Sequence, residues 1–213
     1  LTPGPTPLPP QVLAAMSLPL IHHRTEEFGR LFAQVMEDMQ WVYRTKAAVL
    51  AMTSSGTGAM ESAVVNLLSP GDRSLVCTTG AFGERFVAIH KAFGLKPEVL
   101  AFEWGSSIDP DTLRKTLKSK PGLKAVFLQQ TDTSTGVLND VKTLAAIVRQ
   151  ESGALVVVDS VSGLACEPLE TDAWGLDAVV SGSQKGLMNA PGLGFAAVSE
   201  RAWKAVDAAR LPR

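Results

Sequence analysis

The chain has 213 residues, 46% of them hydrophobic and 19% charged, with a formal net charge of -1. That is enough apolar material for one sizeable core, while the near-neutral balance leaves no electrostatic footprint for nucleic acid or an anionic membrane surface. No apolar run approaches the roughly 20 residues needed to span a bilayer. Cys77 and Cys166 stand far apart, outside any CxxC or metal-ligand pattern, and read as buried structural thiols in a reducing, cytoplasmic compartment.

In chain order, Thr2–Pro10 is proline-rich and reads as an extended arm, because proline removes backbone donors and restricts the residue before it. The arm and a short helix take up residues 1–24; His22 and His23 lack ligand spacing, so no metal site is assigned. Residues 25–213 read as one domain. Phe28, Leu31, Phe32, Val35, Met36, Met39, Val42 and Tyr43 recur at helical spacing, predicting a long amphipathic helix whose stripe contacts the core. Apolar runs follow at Ala48–Met52, Ser74–Thr78, Glu98–Phe102, Ala125–Gln130, Ala154–Asp159, Ala178–Ser181 and Gly194–Val198, and the segments from Gly58, Gly83, Asp109 and Asn139 read as helices.

Runs such as Ala154–Val158 lack polar alternation, as expected of strands buried on both faces. The predicted fold is therefore α/β, a three-layer sandwich around a mainly parallel seven-stranded sheet. The runs at Ala178 and Gly194 are too close for a helical crossover, so one is antiparallel or the two are joined by a long functional loop. The chain opens on Leu1 rather than Met and stops at Arg213, and the expectation is a piece of a longer polypeptide.

Ligands of open parallel sheets bind beyond the carboxyl ends of the strands, and four segments fall there. Thr53–Gly58 (TSSGTG) offers two glycines, hydroxyls and a helix start, which suits an anion cup or an ordinary strand-to-helix turn. It fails the dinucleotide pattern, which needs a third glycine, and it fails the Walker pattern, which needs a lysine. Asp159 ends an apolar strand and either meets a cation or caps the following segment. Ser183-Gln184-Lys185-Gly186 sets a lysine among small residues, where it is either solvated or held in a pocket. Gln130–Gly136 is a hydroxyl-rich loop.

Taken together, LTPGPTPLPP at 1–10, TSSGTGAME at 53–61, GAFGER at 80–85, TSTGV at 133–137, VDSVSG at 158–163 and SGSQK at 181–185 resemble the class V aminotransferases. That family is a branch of the fold-type I pyridoxal-phosphate enzymes, and the likeness is greatest to the alanine–glyoxylate and serine–glyoxylate group. The resemblance implies pyridoxal 5'-phosphate as cofactor, held as a Schiff base on Lys185. Asp159 would pair with the ring nitrogen, and Ser55, Gly56, Thr57 and Gln184 would hold the phosphate. Phe82 and Val161 would sandwich the ring, and Thr133 would donate toward its 3-oxygen.

The resemblance further implies a homodimer, and a small C-terminal domain, outside this chain, that carries the arginine for the substrate carboxylate. The expected reaction is amino transfer between a small amino acid, serine or alanine, and a 2-oxo acid such as glyoxylate or pyruvate. Two alternatives stand beside it. One is a desulfurase-like lyase on the same scaffold, disfavoured by Phe82 where a stacking histidine would serve. The other is an inactive cofactor-binding fragment.

Overall fold

The computed structural model describes residues 3–211. Its centre is a seven-stranded sheet in the order β1(Ala48–Thr53), β9(Leu193–Val198), β8(Ala178–Gly182), β7(Leu155–Asp159), β4(Ala125–Gln129), β2(Ser74–Thr78), β3(Glu98–Ala101). The pairs from β8 to β3 are parallel, whereas β9 runs antiparallel to both β8 and β1. The close spacing of the last two runs thus resolves into a β8–β9 hairpin with a long loop, and that loop carries Lys185. A short antiparallel ladder, β5(Thr131–Asp132) with β6(Val137–Leu138), closes the loop after β4.

Helices cover both faces of the sheet, and successive residues of the central strands feed opposite layers. Val126, Leu128, Val156 and Val158 pack with α2(Glu26–Tyr43), α5(Pro110–Ser119) and α6(Val141–Glu151). Ala125, Phe127, Leu155 and Val157 pack with α3(Gly56–Leu67), α4(Ala81–Ala92) and α7(Glu200–Ala208). This double burial accounts for the unbroken apolar runs in the sequence. Helix starts follow local capping: Asp109 and Asp140 accept from the amides of Thr112 and Thr143.

Three expectations change. The proline arm gives way to α1(Pro10–Met16) one residue earlier than an extended reading allows, because proline at the first helical position forfeits only a donor that has no partner anyway. The stripe of α2 is buried only at its C-terminal end, at Met39 and Tyr43, while Leu31, Phe32 and Val35 face outward. Helical periodicity shows that a face is apolar but not what covers it. Cys77 is buried as expected, but Cys166 is exposed.

Phe127 lies at the centre of one layer, fully buried, with its ring 5.0 Å from that of Phe86 and edge-on to His90 at 4.7 Å. Phe127→Ala removes this aromatic cluster's centre and is expected to cost about 3–5 kcal/mol, read as a lowered urea midpoint with an unchanged m-value.

Candidate active site

The strands deliver their following loops to one edge of the sheet. After β1, Ser55 caps α3, its hydroxyl accepting from the amide of Gly58 (3.3 Å), so the unpaired first-turn amides of α3 face the sheet edge. Gly56 is required there: a Cβ would lie 2.7 Å from the Val161 side chain. After β7, Asp159 turns back on the chain and its Oδ1 accepts from the Val161 amide (2.8 Å). After β8, Ser183 ties the hairpin loop together, donating to the Ala190 carbonyl (2.6 Å) and accepting from the Leu193 amide (3.3 Å). Lys185 is thereby held over the carboxyl edge.

Seven of the expected residues, Ser55, Gly56, Thr57, Phe82, Val161, Gln184 and Lys185, line one cavity of about 260 Å³, together with Gly4, Pro5, Met60, Arg85 and Pro191. Asp159 and Thr133 are not in its lining. Asp159 is buried behind it, and the Thr133 hydroxyl hydrogen-bonds Ser162 Oγ on the neighbouring loop. The N-terminal arm forms part of the wall. The Thr6 amide and hydroxyl donate to the carbonyls of Gln184 (3.0 Å) and Lys185 (3.2 Å), and Lys185 Nζ donates to the Pro3 carbonyl (2.8 Å).

Burial dominates the electrostatics of the site. Among the described residues only the Val161 amide donates to the Asp159 carboxyl, and burial pushes that group up to about 7. The Val161 bond opposes the rise, the charge of Asp132 adds to it, and Arg85 and Lys185 lower it. Burial also holds Lys185 below the ordinary lysine range, against the pull of Asp159 and Cys166. An amine with a lowered pKa is easier to use as a nucleophile. The Gln184 side-chain carbonyl is buried without a partner among the described residues.

Two residues of the site escaped the sequence reading. Asp132 is fully buried, and its Oδ2 accepts from the amides of Phe82 and Gly83, both at 3.1 Å. Gly80, at the cap position of α4, has no side chain to do this, so Asp132 caps the helix from fifty residues away and fixes Phe82. Arg85 donates to Thr57 Oγ1 (2.9 Å) and lies over the Phe82 ring, 4.5 Å from its centroid. Arg85 stands inside the GAFGER motif and Asp132 inside the hydroxyl-rich loop Gln130–Gly136, yet their partners are distant in sequence. Cys166 comes close as well, since a Cβ on Gly186 would meet its sulfur at 2.8 Å.

The chain belongs to the family described as Aminotransferase class-V, whose model matches residues 1–210. It is similar to the soluble hydrogenase 42 kDa subunit of Anabaena cylindrica, at 45% identity over 99% of this chain and 56% of that one. It is also similar to serine–glyoxylate aminotransferase of Hyphomicrobium methylovorum, at 38% identity over 94% of this chain and 50% of the other. The solved aspartate aminotransferase of subgroup IV from Thermus thermophilus superposes with a TM-score of 0.90 at 41% identity, over 96% of this chain and 58% of its own. The chain thus spans about half the length of the proteins it matches. No helix among the described residues is long and apolar enough to cross a membrane.

Asp159 supplies a test that needs no ligand. Its folded pKa of about 7 lies above the unfolded value of roughly 3.9, so its contribution favours folding below about pH 4 and is lost as pH rises to 7. Asp159→Asn abolishes that loss. In cofactor-free protein, the stability advantage of the variant is expected to grow by roughly 1.4 kcal/mol per pH unit between pH 5 and 7, then level off. Urea unfolding at pH 5, 6, 7 and 8 measures it; a gap that stays constant with pH would show that burial does not set this titration.

Proposed function

We propose that this chain is the cofactor-binding part of a pyridoxal-phosphate-dependent aminotransferase acting between a small amino acid and a 2-oxo acid. The observation that carries this reading is a buried carboxylate, Asp159, with a single hydrogen-bond donor among the described residues, placed behind a cavity that also contains the Lys185 amine and a neutral helix-start cup. These residues suit a phosphorylated, cationic heteroaromatic ring. The cup faces an anion, Phe82 and Val161 offer apolar faces to the ring, and Asp159 offers a charge that only a buried cation would satisfy.

When bound, pyridoxal phosphate supplies an electron sink for charge developed at the substrate Cα. The chain's own side chains do the rest. Lys185 would hold the cofactor and move a proton at the substrate Cα. Asp159 would keep the ring nitrogen protonated. Ser55, Gly56, Thr57 and Gln184 would hold the phosphate at the start of α3, and Thr133, now bonded to Ser162, would turn toward the ring's 3-oxygen. The arm at Pro3–Thr6 keeps water from the amine. Serine or alanine is the proposed donor, and glyoxylate or pyruvate the acceptor. The cytoplasm is the proposed location, consistent with two free thiols.

Borohydride reduction of the protein with pyridoxal phosphate is expected to leave one adduct, on the Lys185 peptide, that is absent from Lys185→Ala. An adduct surviving that substitution would sink the assignment. Single-turnover spectra with L-serine, L-alanine, L-aspartate and L-cysteine then separate donors. Transamination by a small amino acid supports the reading, whereas sulfide release from cysteine would favour a desulfurase-like lyase.

The homodimer is supported by the uncovered apolar face of α2, where Leu31 and Phe32 are 51% and 45% exposed. Phe32→Glu places a charge in that face and is expected to shift a dimer toward monomer by light scattering. A dimer unaffected by the change would place the interface elsewhere.

A further inference from the structure

We propose that Arg85 is a phosphate-binding residue, supplying the positive charge that an otherwise neutral anion cup lacks. The proposal rests on the cofactor reading above and goes beyond it. A phosphate monoester brings a charge of about -1.5 to -2 at neutral pH. The cup assigned to it consists of Ser55, Gly56, Thr57 and Gln184, none of them charged. The start of α3 adds only a partial charge, equivalent to roughly +0.5. Lys185 is the other cation lining the cavity, and its amine is committed to holding the cofactor and moving protons. Among the described residues of this chain, Arg85 is the remaining cation that lines the cavity.

Arg85 stands three residues after Phe82 on α4, so its side chain rises on the same helical face and crosses the Phe82 ring toward α3. There Nη1 donates to the hydroxyl of Thr57 at 2.9 Å, in the first turn of α3 and next to Gly56. No carboxylate among the described residues forms an ion pair with it. A guanidinium carries five donors in a planar fork. With one spent on Thr57 and no acid to claim the others, the fork is free to bond a phosphate oxygen at the cup's rim. Stacking on Phe82 holds its plane and lessens the entropy lost when it binds.

The test is a comparison of two ligands that differ only in the phosphate. Dissociation constants for pyridoxal phosphate and for pyridoxal are measured by absorbance titration of cofactor-stripped protein, for wild type, Arg85→Gln and Arg85→Lys. Arg85→Gln is expected to weaken pyridoxal phosphate about tenfold or more while leaving pyridoxal unchanged. Arg85→Lys, which keeps the charge and loses the fork, should show a smaller loss, again confined to the phosphorylated ligand; it also serves if the Gln variant folds poorly.

Equal weakening of both ligands would mean that the guanidinium only supports Phe82, and would overturn the proposal. So would unchanged pyridoxal phosphate binding accompanied by a weakened amino-acid half-reaction, which would place the charge at the substrate carboxylate. Wild-type protein that binds neither ligand would instead remove the cofactor reading, a failure distinct from these.

Discussion

The site is organised around the cost of burying a carboxylate. Asp159 is the last residue of a strand whose other members are apolar and fully enclosed, and a charge there is unfavourable unless something cationic meets it. Among the described residues it accepts one hydrogen bond, from the Val161 amide, and the charges of Arg85 and Lys185 favour its ionised form. A chain under selection for stability alone would put a valine or an asparagine at this place. The acid lies close to a cavity lined by the Lys185 amine and the helix-start cup, where the proposed cofactor would meet it. Under that proposal, stability would be given up locally where a poised group is needed.

The sheet makes this arrangement possible. Parallel strands bring their carboxyl ends to one edge, so the loops after β1, β2, β4, β7 and β8 converge although they are spread along the whole chain. The single reversal of direction, β9 between β8 and β1, is what suspends the lysine. A crossover helix after β8 would have carried Lys185 away from the edge; a hairpin returns the chain at once and leaves the loop standing over Asp159. Small residues at Gly56 and Gly83 let the helices approach the strand ends closely enough for side chains on different loops to touch.

Most of the architecture was legible in the sequence because burial on both faces writes itself as unbroken runs such as Ala125–Leu128 and Leu155–Val158. Capping aspartates at Asp109 and Asp140 marked helix starts for a local reason, a side chain bonding an amide three residues on. Seven of the expected site residues line the one cavity because the quoted motifs lie at strand ends. What could not be read depends on partners remote along the chain. Asp132 looked like a loop residue because the amides it caps belong to Phe82 and Gly83. Arg85 carries no local sign of its role because its partner Thr57 lies a helix and a strand earlier. The outward half of α2 has the same periodicity as a core helix, and periodicity carries no information about what lies opposite. Pro10 misled because proline both ends extended arms and begins helices.

The arm makes one more point about this molecule. Its contacts with Gln184 and Lys185 join positions 178 to 182 residues apart. Contacts so distant along the chain close very large loops, whose closure entropy is correspondingly high. Within this chain, the residues that wall the lysine are made long before Gln184 and Lys185 and have nothing to bind there until the β8–β9 hairpin forms. The cover over the amine is thus assembled across the full span of the domain and not within one local segment.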